Sequence, residues 1–421
     1  MRVLIYGINY APELTGIGKY SGELGAWLAR NNHSVDVITA YPYYPEWERH
    51  SAYKGKLWFS ENLNGVTVYR TPLYVPREVT ALKRILHEFS FTAGSIPYWL
   101  KALFGRRYDL VICVSPAFHL GFPALFYSRL KGVPFVYHIQ DLQVDAARDL
   151  GMISSERLLK LLFKAEKFIL DRCTMVSSIS DGMLDKIRAK GIDEHKCILF
   201  PNWVDENHIR PLPKDASLRE EFGLKATDKV ILYSGNLGEK QGLEQVIEVA
   251  RLFQHRSDVV FLITGSGGAK KRLQRLAESY HLTNIQFFPL QPYAKLSALL
   301  ATADLHLVLQ KKSASDLVMP SKLTSILAAG GCPLVTASPG TSLYRVVREH
   351  QFGILVEPES TEALFDGISN ALAADLDVYR TSARVYAEKY LSKEVILSDF
   401  EKKVEQMTAQ ISGKVMPSVS I

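Results

Sequence analysis

Short apolar runs rich in β-branched residues recur along the chain. Between most of them lies a longer stretch whose apolar positions return every three or four residues. In the first half the runs are Val3–Ile8, Val35–Thr39, Leu110–Val114, Phe135–Ile139, Met175–Ile179 and Ile198–Phe200, with a further candidate at Val66–Arg70. Helical periodicity fills Tyr20–Arg30, Leu82–Leu103, about His119–Lys131, Glu156–Leu170 and Asp181–Lys190. Strands that are apolar throughout and alternate with helices predict a parallel sheet covered on both faces, the α/β class.

The pattern breaks between Pro201 and Asp228, where Pro201, Pro211, Pro213 and charged residues mark a linker, with a short helix expected near Leu218–Phe222. A second alternating set follows. Its strands are Val230–Tyr233, Val259–Thr264, Ile285–Phe288, Leu305–Leu309, Pro333–Thr336 and Ile354–Val356. Its helices are Leu243–Phe253, Lys270–Tyr280, Lys295–Thr302, Ser321–Ala329, Leu343–Glu349 and Glu362–Leu372. We expect two Rossmann-like domains, 1–205 and 206–378, whose C-terminal strand ends face each other across a cleft. Crossover helices over 379–410 should pack back onto the first domain, leaving a flexible tail over 411–421.

The most informative stretch is Asp316–Ser338. Pro320 suits the first position of a helix that stops at Gly330-Gly331. The first turn offers the backbone N–H groups of Ser321, Lys322 and Leu323, the Ser321 hydroxyl and the Lys322 ammonium. A cation there opposes the helix dipole, so an anionic ligand, phosphate above all, gives it a reason to be present. Three glycine-bearing loops are expected at the same kind of strand end: Gly16 and Gly18 after the first strand, Ser234–Gly242 with Gly235, Asn236, Lys240 and Gln241, and Thr264–Gly268 with Gly265. The Gly16/Gly18 loop is not the dinucleotide fingerprint, a plain turn is its competing reading, and any one of the three loops alone is weak evidence. Together with the Pro320 helix start they favour a nucleotide diphosphate.

His138 closes an apolar strand, where a satisfied core histidine competes with a role at a site facing the cleft. The segment Tyr41–Trp47 holds rings, Tyr43, Tyr44 and Trp47 among them, that suit stacking on sugar faces or packing at a rim. Between Arg77 and Arg107 six cations oppose only Glu78 and Glu88 beside many aromatics, so this helix suits anionic lipid unless its apolar face is simply core.

Composition narrows the classes. Over 421 residues, 50 lysines and arginines against 44 acids leave +6, too mild for a nucleic-acid binder by itself. The four cysteines are widely spaced, as buried thiols in a reducing compartment would be, and no metal-ligand spacing appears. The start of the chain enters a strand at once and lacks the features of a signal peptide, so export is not expected. Leu110–Ser128 is nearly uncharged, but Pro116, Gly121 and Pro123 divide it into strand, turn and helix.

These segments resemble, over nearly the whole chain, the retaining GT-B glycosyltransferases of family four. The likeness is carried by YGINYAPELTGIGKY (Tyr6–Tyr20), YYPEW (Tyr43–Trp47), HIQDLQVDA (His138–Ala146), FPNW (Phe200–Trp203), ILYSGNLGEKQGLE (Ile231–Glu244), FFPLQPY (Phe287–Tyr293) and MPSKLTSILAAGG (Met319–Gly331). The resemblance implies a nucleotide-sugar donor on the second domain and an acceptor, with Tyr43, Tyr44 and Trp47, on the first. It implies catalytic roles for His138 near the transferring sugar and for Lys240 and Lys322 at the diphosphate. Gly16, Gly18, Gly235, Asn236, Gln241, Gly265, Ser321, Leu323 and Ser325 would line the donor, the nucleoside lying between the Gly265 loop and Leu290 to Tyr293.

Two positions depart from the family. Its Arg and Lys after the second domain's first strand read Asn236 and Gln241 here, with Lys240 one place away; its paired glutamates read Leu317 and Ser325, with Asp316 adjacent. The resemblance further implies a hexosyltransferase that needs no metal or other cofactor. It would move fucose from GDP-fucose onto a lipid-linked oligosaccharide precursor of a colanic-acid-like exopolysaccharide, in the cytoplasm and peripheral to the inner face of the membrane. A sugar-nucleotide 2-epimerase and a non-catalytic binding subunit are the alternatives.

Overall fold

The computed structural model describes residues 1–13, 16–78, 80–149, 153, 155–238, 241–312, 320–411 and 413. The chain divides into two compact units, Met1–Pro201 with Leu397–Ile421, and Asn202–Ile396. The first runs β1 (Arg2–Tyr6), α1 (Gly16–Arg30), β2 (Ser34–Ala40), β3 (Phe59–Leu63), β4 (Val66–Thr71), α2 (Ala81–Phe104), β5 (Leu110–Ser115), α3 (Gly121–Lys131), β6 (Phe135–Ile139), α4 (Gln143–Asp149), α5 (Glu156–Arg172), β7 (Met175–Ser178), α6 (Asp181–Ala189) and β8 (Cys197–Leu199). Its sheet has the order β3-β4-β2-β1-β5-β6-β7-β8, parallel except for β3 against β4. Strands β5 and β6 are buried along their whole length, as helices on both faces require.

The second unit runs β9 (Lys229–Asn236), α7 (Glu244–Leu252), β10 (Val259–Ser266), α8 (Lys270–Ser279), β11 (Ile285–Phe288), α9 (Leu296–Thr302), β12 (Leu305–Val308), α10 (Ser321–Ala328), β13 (Pro333–Thr336), α11 (Ser342–His350), β14 (Ile354–Val356), α12 (Thr361–Ala373) and α13 (Asp377–Tyr390). Its parallel sheet is ordered β11-β10-β9-β12-β13-β14, which reverses direction between β9 and β12. Such a switch point opens a crevice beyond the C-terminal strand ends, where doubly wound sheets hold ligands.

Several expectations are corrected. Strand β3 was not expected: FSENL alternates half-buried and exposed positions at a sheet edge and lacks an apolar run. Helix α4 was missed for its brevity. The expected helix at Leu218–Phe222 is a hydrogen-bonded turn, Phe222 N donating to Leu218 O at 3.0 Å, and Gly223 at φ +67° ends it. Strands β9 and β10 continue two or more residues past Tyr233 and Thr264, so Gly235 and Gly265 are ladder partners and not loop residues.

The return to the first unit starts at Leu397, later than 379. Helix α13 buries Ala383 and Ala387 beside α10 within the second unit, and the crossing falls to α14 (Lys393–Ile411). Phe400 stacks on Phe200 with ring centroids 3.9 Å apart, and Glu401 accepts hydrogen bonds from Trp27 Nε1 (2.8 Å) and Asn31 Nδ2 (2.6 Å) and pairs with His33 (2.8 Å). Apart from Ile411 and Gly413, the expected tail lies outside the described residues. Phe400 is almost fully buried, so Phe400→Ala should destabilise the first unit by about 3–5 kcal/mol, read as a lower urea midpoint in tryptophan fluorescence, to which the first unit contributes Trp27, Trp47, Trp58 and Trp99.

Candidate functional site

The second unit gathers its glycines and its helix start at the switch point. The chain leaves β9 through Gly235 (φ +139°) and β10 through Gly265 (φ +152°) and Gly267 (φ +148°), conformations that favour glycine. A Cβ on Gly265 would strike the Gly235 carbonyl, and one on Gly267 would strike that of Leu237. Leu237 N then bonds to Ser266 O (2.8 Å) and Ala269 N to Leu237 O (3.0 Å), which fixes the two turns against each other.

Helix α10 begins at Ser321, so Pro320 does not take the first helical position expected of it. Pro320 is its N-cap, with extended backbone (φ −63°, ψ 109°) and no side chain able to cap. Leu323 N donates to Pro320 O at 2.9 Å, so of the three N–H groups assigned to an anion only those of Ser321 and Lys322 remain. The Leu323 side chain is core, Ser321 is exposed and Ser325 half-buried. Gly330 (φ +63°) and Gly331 end the helix, Gly331 N reaching Ile326 O at 2.9 Å.

Lys322 is the unusual group. Its Nζ is closed off from solvent and has no hydrogen-bond partner; it lies 3.5 Å from the centroid of the Tyr233 ring. A Cβ on Gly235 would stand 3.3 Å from its Cε and Nζ, so the glycine makes room for it. Burial pushes the ammonium down from 10.5 to about 7. Two further buried oxygens, Thr264 Oγ1 and Gln241 Oε1, also lack partners. Native interiors leave few such atoms unsatisfied, and these three lie beside the C-terminal ends of β9 and β10 or at the start of α10. Of the three, the Lys322 ammonium and the Thr264 hydroxyl can donate to an anion, whereas Gln241 Oε1 can only accept.

The remaining expected donor residues are placed as follows. Asn236 is exposed, its carbonyl accepting from Tyr233 Oη at 2.7 Å. Leu290, also exposed, follows β11, the strand beside β10, so its segment and the Gly265 turn leave neighbouring strand ends. Tyr293 stacks on His208 at 4.6 Å. Lys240, Asp316 and Leu317 lie outside the described residues.

In the first unit Gly16 (φ +60°) opens α1, with the Tyr44 ring 3.4 Å from where its Cβ would be, and Gly18 packs on Glu13. Glu13, which the sequence reading passed over, is buried and accepts from the backbone N–H groups of Tyr43 and Tyr44 (3.1 Å each) and from Asn9 Nδ2 (3.0 Å). Burial raises its pKa, and those three donors oppose the rise. Tyr43 is buried against His87 (4.5 Å) and Trp47 (5.5 Å), so packing is its role; Tyr44 is exposed and Trp47 half-buried.

His138 is corrected outright. Nδ1 lies 2.9 Å from Ser177 Oγ and Nε2 accepts from Gln140 Nε2 at 2.8 Å, while burial pushes its pKa down to about 3. It is a neutral, satisfied core histidine with no nitrogen left for a reacting group.

Two doubly wound units in one chain are the GT-B architecture. The chain matches the family models "Glycosyl transferase 4-like domain" over residues 15–203 and "Glycosyl transferases group 1" over residues 214–390, and it belongs to that family. It is 43% identical over 410 residues, covering 95% of this chain and 98% of the relative, to WcaI of Escherichia coli (strain K12), whose name assigns it to colanic acid biosynthesis as a glycosyl transferase. Among solved structures it resembles sucrose-phosphate synthase from Thermosynechococcus elongatus, with TM-score 0.75 and 18% identity over 97% of this chain and 100% of that one. It also resembles Anabaena HepE in complex with UDP and glucose, with TM-score 0.69 and 14% identity over 96% and 100%.

The Lys322 environment has a measurable sign. The folded state holds this proton less tightly than the unfolded state, so its cost is complete below about pH 7 and is relieved as pH rises toward 10.5. Lys322→Met should therefore stabilise the protein at pH 6 by roughly 2–4 kcal/mol, read as a higher urea midpoint, and the gain should shrink by pH 10.

Proposed function

We propose that the protein is a retaining glycosyltransferase that takes a sugar from a nucleoside diphosphate sugar, GDP-fucose in our reading. The acceptor is a lipid-linked oligosaccharide precursor of a colanic-acid-like exopolysaccharide at the inner face of the membrane. The observation that carries this reading is the buried, unpaired Lys322 ammonium at the start of α10, beside Gly235. The donor class is supported by the family, by the UDP held by HepE and by the switch point; the polysaccharide is suggested by the name of WcaI.

In this reaction the bond from the sugar's anomeric carbon to the diphosphate oxygen breaks. The acceptor oxygen bonds to the same face of that carbon, and its proton passes to the departing diphosphate. Lys322, the free N–H groups of Ser321 and Lys322, and Lys240 stabilise the charge that develops on the leaving group. Gly235 and Gly265, without side chains at the ends of β9 and β10, allow the diphosphate to approach the backbone, and the nucleoside lies toward Leu290. Tyr44 and Trp47 contact the acceptor. No metal enters this scheme.

Calorimetry with GDP-fucose, GDP-mannose, UDP-glucose and UDP-N-acetylglucosamine tests it. One donor should bind with a proton taken up from buffer at pH 8, because an adjacent diphosphate lifts the Lys322 pKa. Lys322→Ala should weaken that binding by about 1.5–3 kcal/mol and abolish the uptake. Undiminished binding by Lys322→Ala would overturn the assignment.

A further inference from the structure

Helix α2 buries Phe91, Trp99 and Ala102 on its inner face, as a helix laid on a sheet should. Its outer face is apolar as well. Leu82, Ile85, Phe89, Ile96, Leu100 and Phe104 recur at helical spacing and are all exposed, Phe104 at 88%. Helix α3 repeats the arrangement, with Phe122, Phe126 and Leu130 outward over buried Ala124, Leu125 and Tyr127. On α5, Leu158, Leu161 and Phe168 are exposed.

These stripes join. The Phe122 ring lies 6.3 Å from that of Phe168, and Phe126 shares a groove of about 310 Å³ with Ile96, Trp99, Leu100 and Leu103. Apolar surface of this continuity marks an interaction site. Positive charge accompanies it. Among the described residues Arg106, Lys131, Arg157 and Lys164 have no acidic partner, while Lys101 turns its ammonium onto the Tyr69 ring of β4 (4.5 Å). The acids near them are engaged: Glu88 with Arg84 (3.1 Å) and Gln143 (2.9 Å), Glu166 with Lys190, Asp171 with Lys167 (2.9 Å).

We propose that the outer face of α2, α3 and α5 docks on a bilayer containing anionic lipid, the rings entering the acyl boundary and the cations meeting headgroup phosphates. The proposal deepens the membrane part of the reading above and rests on it. A second copy seated on the same face would bring like cations together, which disfavours that occupant. No described helix is long and apolar enough to cross a membrane, so contact at the surface is the mode these helices offer.

Flotation of the full chain with vesicles of phosphatidylcholine, with and without phosphatidylglycerol, tests it. The wild type should float only with the anionic vesicles. Leu100→Ser with Phe126→Ser should lower that partition by about tenfold or more at unchanged circular dichroism, and Arg157→Gln with Lys164→Gln should lower it and its salt sensitivity. If the serine pair binds like wild type while the glutamine pair is released, membrane contact stands by charge alone and the face is wrong. If the wild type floats with neither vesicle, membrane contact and face are both overturned. A dimer in solution that the serine pair dissociates would assign the face to a second copy and overturn the proposal. Nucleotide-sugar calorimetry on the same variants reads the donor site independently.

Discussion

An ammonium group withdrawn from water with no anion beside it is the constraint around which the second unit is arranged. The Tyr233 ring at 3.5 Å is its compensation in the ligand-free chain. A cation over a desolvated ring gains about 2 kcal/mol, whereas desolvating an ion costs several. The ring therefore offsets only part of the cost, and the rest is stored at the switch point. Lys322 can occupy that place only because Gly235 has no side chain. Gly235 can sit there only because Gly265, its ladder partner, leaves its carbonyl uncrowded.

Buried charge in the first unit is handled differently. Arg70 is fully buried, yet it reaches Glu61 at 2.7 Å, the Ala40 carbonyl at 3.0 Å and the Ala11 carbonyl. Lys190 bridges Asp145 and Glu166, joining α4, α5 and α6. Glu13 holds the Tyr43-Tyr44 backbone. Each of these charges is answered within the protein, and removing either partner would leave the other stranded. They pin loops to the sheet. Lys322 has no such answer among the described residues, and in this it differs from the buried charges of the first unit.

The alternation of buried strands and helices made both sheets legible, because a strand covered on two faces has to be apolar throughout. Edge strand β3 was not legible, since FSENL has only one half-buried face. The glycine loops were recognised, but their geometry was not: a glycine inside a ladder and one in a loop look alike in one dimension, and only the Gly235–Gly265 pairing distinguishes them. His138 stood at a strand end in the sequence, while Ser177 and Gln140, which saturate it, became its neighbours only through the fold. The outer face of α2 was half legible. Its rings and cations were plain, but a sequence cannot say which apolar residues face the sheet until the sheet is present.

The position of α14 gives the fold its closure. Phe200 lies just beyond the edge strand β8, yet it finds its stacked partner Phe400 only after the second unit has been traversed. Glu401 then gathers Trp27, Asn31 and His33 from the end of α1 and the turn after it. Contacts of such sequence separation form late, because the intervening chain must be ordered before they can compensate its closure entropy. The first unit is thus completed by the last helix, and its stability is tied to the second unit through the chain itself.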